Sequence, residues 1–165
     1  SYAKAREAMY REVDNYDGEI TLVYTGEKAT LDGNGQPPGD VNCEHVNPQS
    51  YFRVASGRTD IHNLKPARVK VNSARSNKPF ADIPDRETES WYKSARAEGL
   101  PREDIDAYSE STRKQFEPRE ADKGDIARAM IYVYVIYDDG IDKAWAERQM
   151  PTLLQWHRQD PIHPQ

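Results

Sequence analysis

Apolar positions recur every four residues at the start of the chain, where Ala5, Met9 and Val13 are separated by charged side chains. That spacing predicts an amphipathic helix over Tyr2–Val13. Asp17-Gly18 is a turn signal, and the β-branched and aromatic run Ile20-Thr21-Leu22-Val23-Tyr24 predicts a strand. The Gly- and Pro-rich stretch 32–40 reads as a loop. Two short extended segments are expected, around Cys43–Val46 and around Thr59–Leu64. Pro66 suits the first turn of a helix running to about Asn77, which Lys78-Pro79 then stops. The second half reads as helical. Helices are expected over Thr88–Glu98, carrying Trp91, Tyr92 and Ala95, and from Pro101 towards Phe116. Ile126, Met130, Val133 and Tyr137 lie at helical spacing within Lys123–Tyr137, and Asp139-Gly140 breaks that run. Pro151 is expected to start a last short helix through Leu153, Leu154 and Trp156. The pattern as a whole predicts an α+β fold, mostly helical, in a single domain.

Composition narrows this. The longest unbroken apolar stretch is Ala129–Tyr137, nine residues; a membrane-crossing helix needs about 20, so no membrane partner is expected. The chain has 3 Trp, 10 Tyr and 3 Phe, enough large rings to close a core. The single cysteine, Cys43, excludes an internal disulfide framework and a multi-thiolate zinc site. The first residues carry no leader pattern, so the expectation is either an intracellular protein or one whose leader was already removed.

Charge is uneven. The net charge is -5, yet residues 51–80 contain Arg53, Arg58, Lys65, Arg68, Lys70, Arg75 and Lys78 against one acid, Asp60. A basic segment on an acidic body can focus an anionic ligand onto one face. Beside it stand Glu44-His45, then Asp60-Ile61-His62-Asn63-Leu64, then Asn72. Hydrolysis of a phosphodiester needs a base for water, a cation for the developing charge and groups that hold phosphate. Glu44-His45 puts a base beside a hard-metal ligand, and Asn72 adds a neutral oxygen. One carboxylate and one amide suit Mg²⁺, which keeps several of its waters. Adjacent strand residues point to opposite faces, so Glu44 and His45 share a site only if the backbone bends or the substrate crosses the strand end.

These residues resemble a known family. Asn42-Cys43-Glu44-His45-Val46-Asn47-Pro48-Gln49-Ser50-Tyr51-Phe52 is similar to the active-site segment of bacterial endonuclease I enzymes, nucleases of the ββα-metal (His-Me finger) type. Asp60–Ala67, Val71–Phe80, Lys123–Met130 and Leu153–His157 with Asp160-Pro161 resemble further family segments in the same order. The resemblance runs from about residue 2 to the end. It implies one nuclease domain over residues 1–165, with a ββα core at about 41–80 and a helical part at about 85–160. It implies His45 as general base, Glu44 and Asn72 as ligands of Mg²⁺ (Mn²⁺ or Ca²⁺ as alternatives), and Asn63 as the residue orienting the His45 loop. Arg58, or else Arg53, would hold the phosphate, and Lys65, Arg68 and Arg75 would track the backbone of the substrate. The implied activity is sequence-nonspecific cleavage of DNA, and of RNA in many members, leaving 5′-phosphates. The implied protein is a secreted or periplasmic monomer. Asn47 stands where a Trp is expected.

Other readings stay open at this stage. Asn77 competes with Asn72 as the ligand, and a noncatalytic nucleic-acid-binding module could keep the same fold. An inhibitor-held toxin domain ranks lower. His62 reads as packing or support for the site, and His157 with His163 as a solvated pair. Tyr132, Tyr134 and Tyr137 read as core, and Lys123, Asp125 and Arg128 as a structural ion-pair cluster.

Overall fold

A computed structural model describes residues 1–94, 96–97 and 99–160. The N-terminal helix forms as α1 (Tyr2–Ala8), whose last part winds into a wider π turn, Met9–Val13. Its Met9 and Tyr10 pack against Ile20, Leu22, Ala29, Val41 and Leu64. A three-stranded antiparallel sheet follows, ordered β1 (Asn15–Tyr16), β2 (Glu19–Thr21) and β3 (Lys28–Thr30).

The centre of the molecule is an antiparallel pair, β4 (Val41–His45) and β5 (Leu64–Arg68), with Glu44 opposite Lys65 and His45 opposite Leu64. Helix α2 (Val69–Arg75) continues from β5. Pro66 therefore lies in a strand, not in the first turn of the helix. A residue preceding proline is held extended, which favours strand at Lys65. Pro66 has no N–H to give a ladder, but its carbonyl accepts the Val23 amide at 2.9 Å. Leu64 and Val41 seal one side of this pair in the smaller core. Ala67, Val71 and Val46 join the larger core on the other, with Phe52, Phe80, Phe116, Met130, Val133, Trp145 and Trp156.

The middle of the chain is extended where helices were expected. β6 (Ser90–Tyr92), β7 (Arg96–Ala97), β8 (Ser109–Ser111) and β9 (Phe116–Glu117) form a four-stranded antiparallel sheet in the order β7-β6-β8-β9. Ala95 and Glu98, assigned to the first of those helices, lie outside the described residues. Trp91 and Tyr92 favour strand as readily as helix, and cross-strand partners decide. Ser109-Glu110-Ser111 is a buried polar strand, which no hydrophobic period can announce. Its hydroxyls are used: Ser109 Oγ donates to the Tyr24 carbonyl at 2.8 Å, and Lys78 Nζ donates to Ser111 Oγ at 2.7 Å.

Two long helices complete the fold. In α3 (Glu120–Ile136), Ile126, Ala127, Met130 and Val133 face inward. Lys123 is buried too, tied to Glu117, Glu120 and Asp82, while Arg128 pairs with Asp125. Helix α4 (Lys143–Gln159) is capped by the Asp142 carboxylate and runs straight through Pro151. Interior proline costs a helix about 3 kcal/mol, but Trp145, Gln149, Leu153 and Trp156 form one buried stripe on both sides of it. That stripe outweighs the missing hydrogen bond. Tyr134 is core, whereas Tyr132 and Tyr137 direct their hydroxyls to Asp60 Oδ2 at 3.2 and 2.7 Å. His163 lies outside the described residues. Among the described residues no helix is long and apolar enough to cross a membrane.

Glu110 in β8 is the acid most at odds with its surroundings. Burial pushes its carboxyl up to about 7, with the Thr88 hydroxyl opposing and the Glu117 charge adding. A folded-state value above the unfolded one leaves stability intact below the unfolded value and removes it as pH rises through about 7. Glu110→Gln should therefore raise the melting temperature by about 2–4 °C at alkaline pH and leave it unchanged in mild acid. Melting curves at the two pH values check the sign.

Candidate active site

β4 ends at His45, and the cleft lies across that end. Cys43, Glu44, His45, Pro48, Gln49, Ser50, Asn72, Ser76 and Asn77 line it. Glu44 and His45 leave the strand on opposite faces, yet both reach this one opening because the chain turns away after His45.

His45 is 6% exposed and held from two directions. Its Nε2 lies 2.9 Å from the Arg58 carbonyl. A carbonyl only accepts, so Nε2 carries the proton and Nδ1 keeps its lone pair. The ring of Tyr2 stacks on the imidazole at 5.3 Å between centroids. Burial lowers the His45 pKa below its ordinary value, and the positive charge of Arg58 adds to this, while the bond to the Arg58 carbonyl opposes it.

Asn63 is fully buried and clasps the chain just past His45. Its Oδ1 accepts the Asn47 amide at 2.7 Å, and its Nδ2 donates to the Asn47 carbonyl at 3.1 Å. Asn47, where a Trp was expected, is itself buried and accepts Trp145 Nε1 at 2.9 Å. The indole thus arrives from α4, stacked on Tyr51 at 3.8 Å.

Glu44 is 3% exposed. Tyr24 donates its hydroxyl to Oε1 at 2.6 Å, and Arg75 Nε lies 3.5 Å from the same oxygen. Burial pushes the Glu44 carboxyl up, and the Arg75 charge, the Tyr24 hydroxyl and the His45 amide pull it back. Asn72 gives its Nδ2 to Asn42 Oδ1 at 2.9 Å and to the Cys43 carbonyl at 3.5 Å. Its Oδ1 is then the atom left for the cleft. Asn77 lines the same cleft, two positions past the end of α2. A carboxylate and an amide oxygen beside open solvent fit a hard divalent cation that retains water. Among the described residues no three His, Cys, Asp or Glu side chains cluster about a metal position.

The basic residues are placed differently from expectation. Arg75 does not face a substrate: it is 0% exposed, with Nη1 and Nη2 donating to the Ser76 and Val46 carbonyls and its guanidinium over the Phe80 ring. Lys65 pairs with Asp14, and Arg68 with Glu27 and Asp40, each in a recess separate from the cleft. Strand alternation and neighbouring acids absorb these charges, so the segment does not present one continuous basic face. Arg58 donates Nη2 to the Phe52 carbonyl, and exposed Arg53 approaches Asp142 at 3.9 Å. Neither arginine lines the cleft. His62 is bound through Nδ1 to Asp60 and packs on Tyr132, as support for the loop.

Sequence reading missed Tyr24, Asn42, Tyr2 and Trp145. Asn42 was findable: two residues before Glu44, it shares that face of the strand. The others come from distant segments with no local signal.

The family model described as Endonuclease I matches residues 2–165. The chain belongs to the endonuclease I family. Two relatives, each described as an extracellular ribonuclease, come from Bacillus subtilis (strain 168) and Bacillus amyloliquefaciens. They are 36% and 35% identical over 159 residues, covering 87% of this chain and 50% of the relative in both cases. The chain thus spans about half the length of the curated relatives it matches. The matched residues include Glu44, His45, Asn63 and Asn72, which the fold brings to one strand end.

Proposed function

We propose that this chain is a divalent-metal-dependent, sequence-nonspecific endonuclease that hydrolyses DNA, and RNA as well, leaving 5′-phosphates. The observation that carries the reading is the shared cleft of Glu44, His45 and Asn72, with His45 Nε2 fixed on the Arg58 carbonyl. Family membership and the ribonuclease description of both relatives support it. Residues 41–80 form its ββα core.

Glu44 and Asn72 would hold the cation, Mg²⁺ by the hardness of the donors, with Mn²⁺ or Ca²⁺ as alternatives. When bound, it supplies charge neutralisation at the scissile phosphate. The remaining work falls to the chain. His45 Nδ1 takes a proton from a water in line with the phosphorus. The Arg58 carbonyl, hydrogen-bonded to Nε2–H, steadies the imidazolium that results. Asn63, through its two bonds to Asn47, holds the turn that keeps His45 in place. Arg58, or else Arg53, both exposed, would hold the phosphate. The extracellular description of the relatives supports a secreted or periplasmic setting.

The test is cleavage of plasmid, single-stranded DNA and RNA with Mg²⁺ and with EDTA. Cutting with Mg²⁺ alone, and product ends that ligate without added kinase, are expected. Cutting that persists in EDTA would remove the metal from the reading. A base must be neutral to act, and burial lowers the His45 pKa. The acid limb of kcat/KM should therefore have its midpoint below the ordinary histidine value of about 6.5. A midpoint above that value contradicts the assignment.

A further inference from the structure

We propose that Tyr24 is a positioning residue of the cation site, tying down one oxygen of Glu44 so that the other is presented to the cleft. The proposal rests on the reading of Glu44 as a ligand, and goes beyond it by assigning a residue that supports that ligand from a distant segment.

Three observations converge. The Tyr24 side chain is fully buried, and its hydroxyl donates to Glu44 Oε1 at 2.6 Å. Its backbone has φ of 75°, a region that bulky side chains avoid. That conformation is pinned from both sides by distant residues. The Tyr24 amide donates to Asp122 Oδ2 at 2.8 Å, and its carbonyl accepts Ser109 Oγ at 2.8 Å. Asp122 is in turn gripped by Arg119 through two bonds of 2.8 Å. Strain of this kind persists only where the surroundings over-determine it, and it concentrates at functional sites. Here the strained backbone aims one hydroxyl at one carboxylate oxygen. The ring alone would pack without the hydroxyl, edge-on to Phe116 at 4.9 Å and tilted to Phe80 at 6.3 Å. A buried phenol needs a partner, and this one spends its proton on the candidate ligand.

Partners that orient metal ligands typically change metal affinity by about 10–100-fold when removed. The experiment titrates Mn²⁺ into the parent, Tyr24→Phe and Glu44→Ala, following free Mn²⁺ by electron paramagnetic resonance, with no substrate present. Metal-free melting curves report the fold separately. Parent binding, its loss in Glu44→Ala and a weakening of about tenfold or more in Tyr24→Phe are expected. Parent-level affinity in a folded Tyr24→Phe, with Glu44→Ala still unable to bind, overturns the role of Tyr24 and spares the site. Equal binding by Glu44→Ala and parent, or no binding by either, overturns the site and this proposal with it. Should Tyr24→Phe not fold, Ser109→Ala loosens the same backbone. Weaker Mn²⁺ binding there supports the proposal, and parent-level binding overturns it.

Discussion

Replacing His45 with alanine should lower kcat for phosphodiester cleavage by roughly 10²- to 10⁴-fold, the usual contribution of a positioned general base. The fall should be in kcat more than in KM, because the imidazole holds a proton on its way out of water, not the substrate. The size follows from how firmly the ring is set. The Arg58 carbonyl takes Nε2–H, and Tyr2 covers one face, so Nδ1 is presented in one orientation and one tautomer. Truncation removes that lone pair, one hydrogen bond to a carbonyl and one ring stack, and leaves the apolar side chains of the larger core in place. The melting temperature should therefore move by only a few degrees. Steady-state assays on parent and variant decide the matter, and a variant that still cuts at the parent rate would dismiss His45 as the base.

The same site shows how far local sequence reaches. That Glu44, His45 and Asn72 would line one cleft, and that Asn63 would tie the chain past His45, was legible because strand, turn and helix positions close in sequence carry them. Their supports were not. Tyr24 meets Glu44 across 20 positions, and Trp145 meets Asn47 across 98. No period or spacing encodes such pairs. Of the run Ile20–Tyr24 only Ile20 and Thr21 are strand, in β2, whereas α3 was readable from its apolar period. The sheet of β6 to β9 was not, since Ser109, Glu110 and Ser111 are buried for their hydrogen bonds and not for apolarity. Pro151 misled for a related reason: a breaker is a local signal, and the stripe from Trp145 to Trp156 that overrides it is tertiary. Charge misled most. Counting basic residues between 51 and 80 says nothing of whether each meets solvent, an acid or the core.

Arg75 is the plainest case of that last error, and it supports the second large effect. Arg75→Met should destabilise the fold by about 3–5 kcal/mol, the cost of leaving a buried charge without its partner. The guanidinium is wholly enclosed, and its Nε lies 3.5 Å from Glu44 Oε1. It also donates to the Val46 and Ser76 carbonyls at 2.7 and 2.8 Å. Methionine fills much of the volume but leaves those carbonyls and the carboxylate unanswered. Burial already pushes the Glu44 carboxyl up, and Arg75 is the largest influence restraining it. Without that restraint, the carboxyl should shift further towards its neutral form, which is a poor cation ligand. A drop of about 6–20 °C in melting temperature is expected for a chain of this size. The double variant Glu44→Gln, Arg75→Met separates the causes. If the unpaired carboxylate dominates, the double variant should recover much of the lost stability while remaining inactive. If the two orphaned carbonyls dominate, it should melt with the single variant. An Arg75→Met protein as stable as the parent would mean that the buried pair does not hold this part of the fold together.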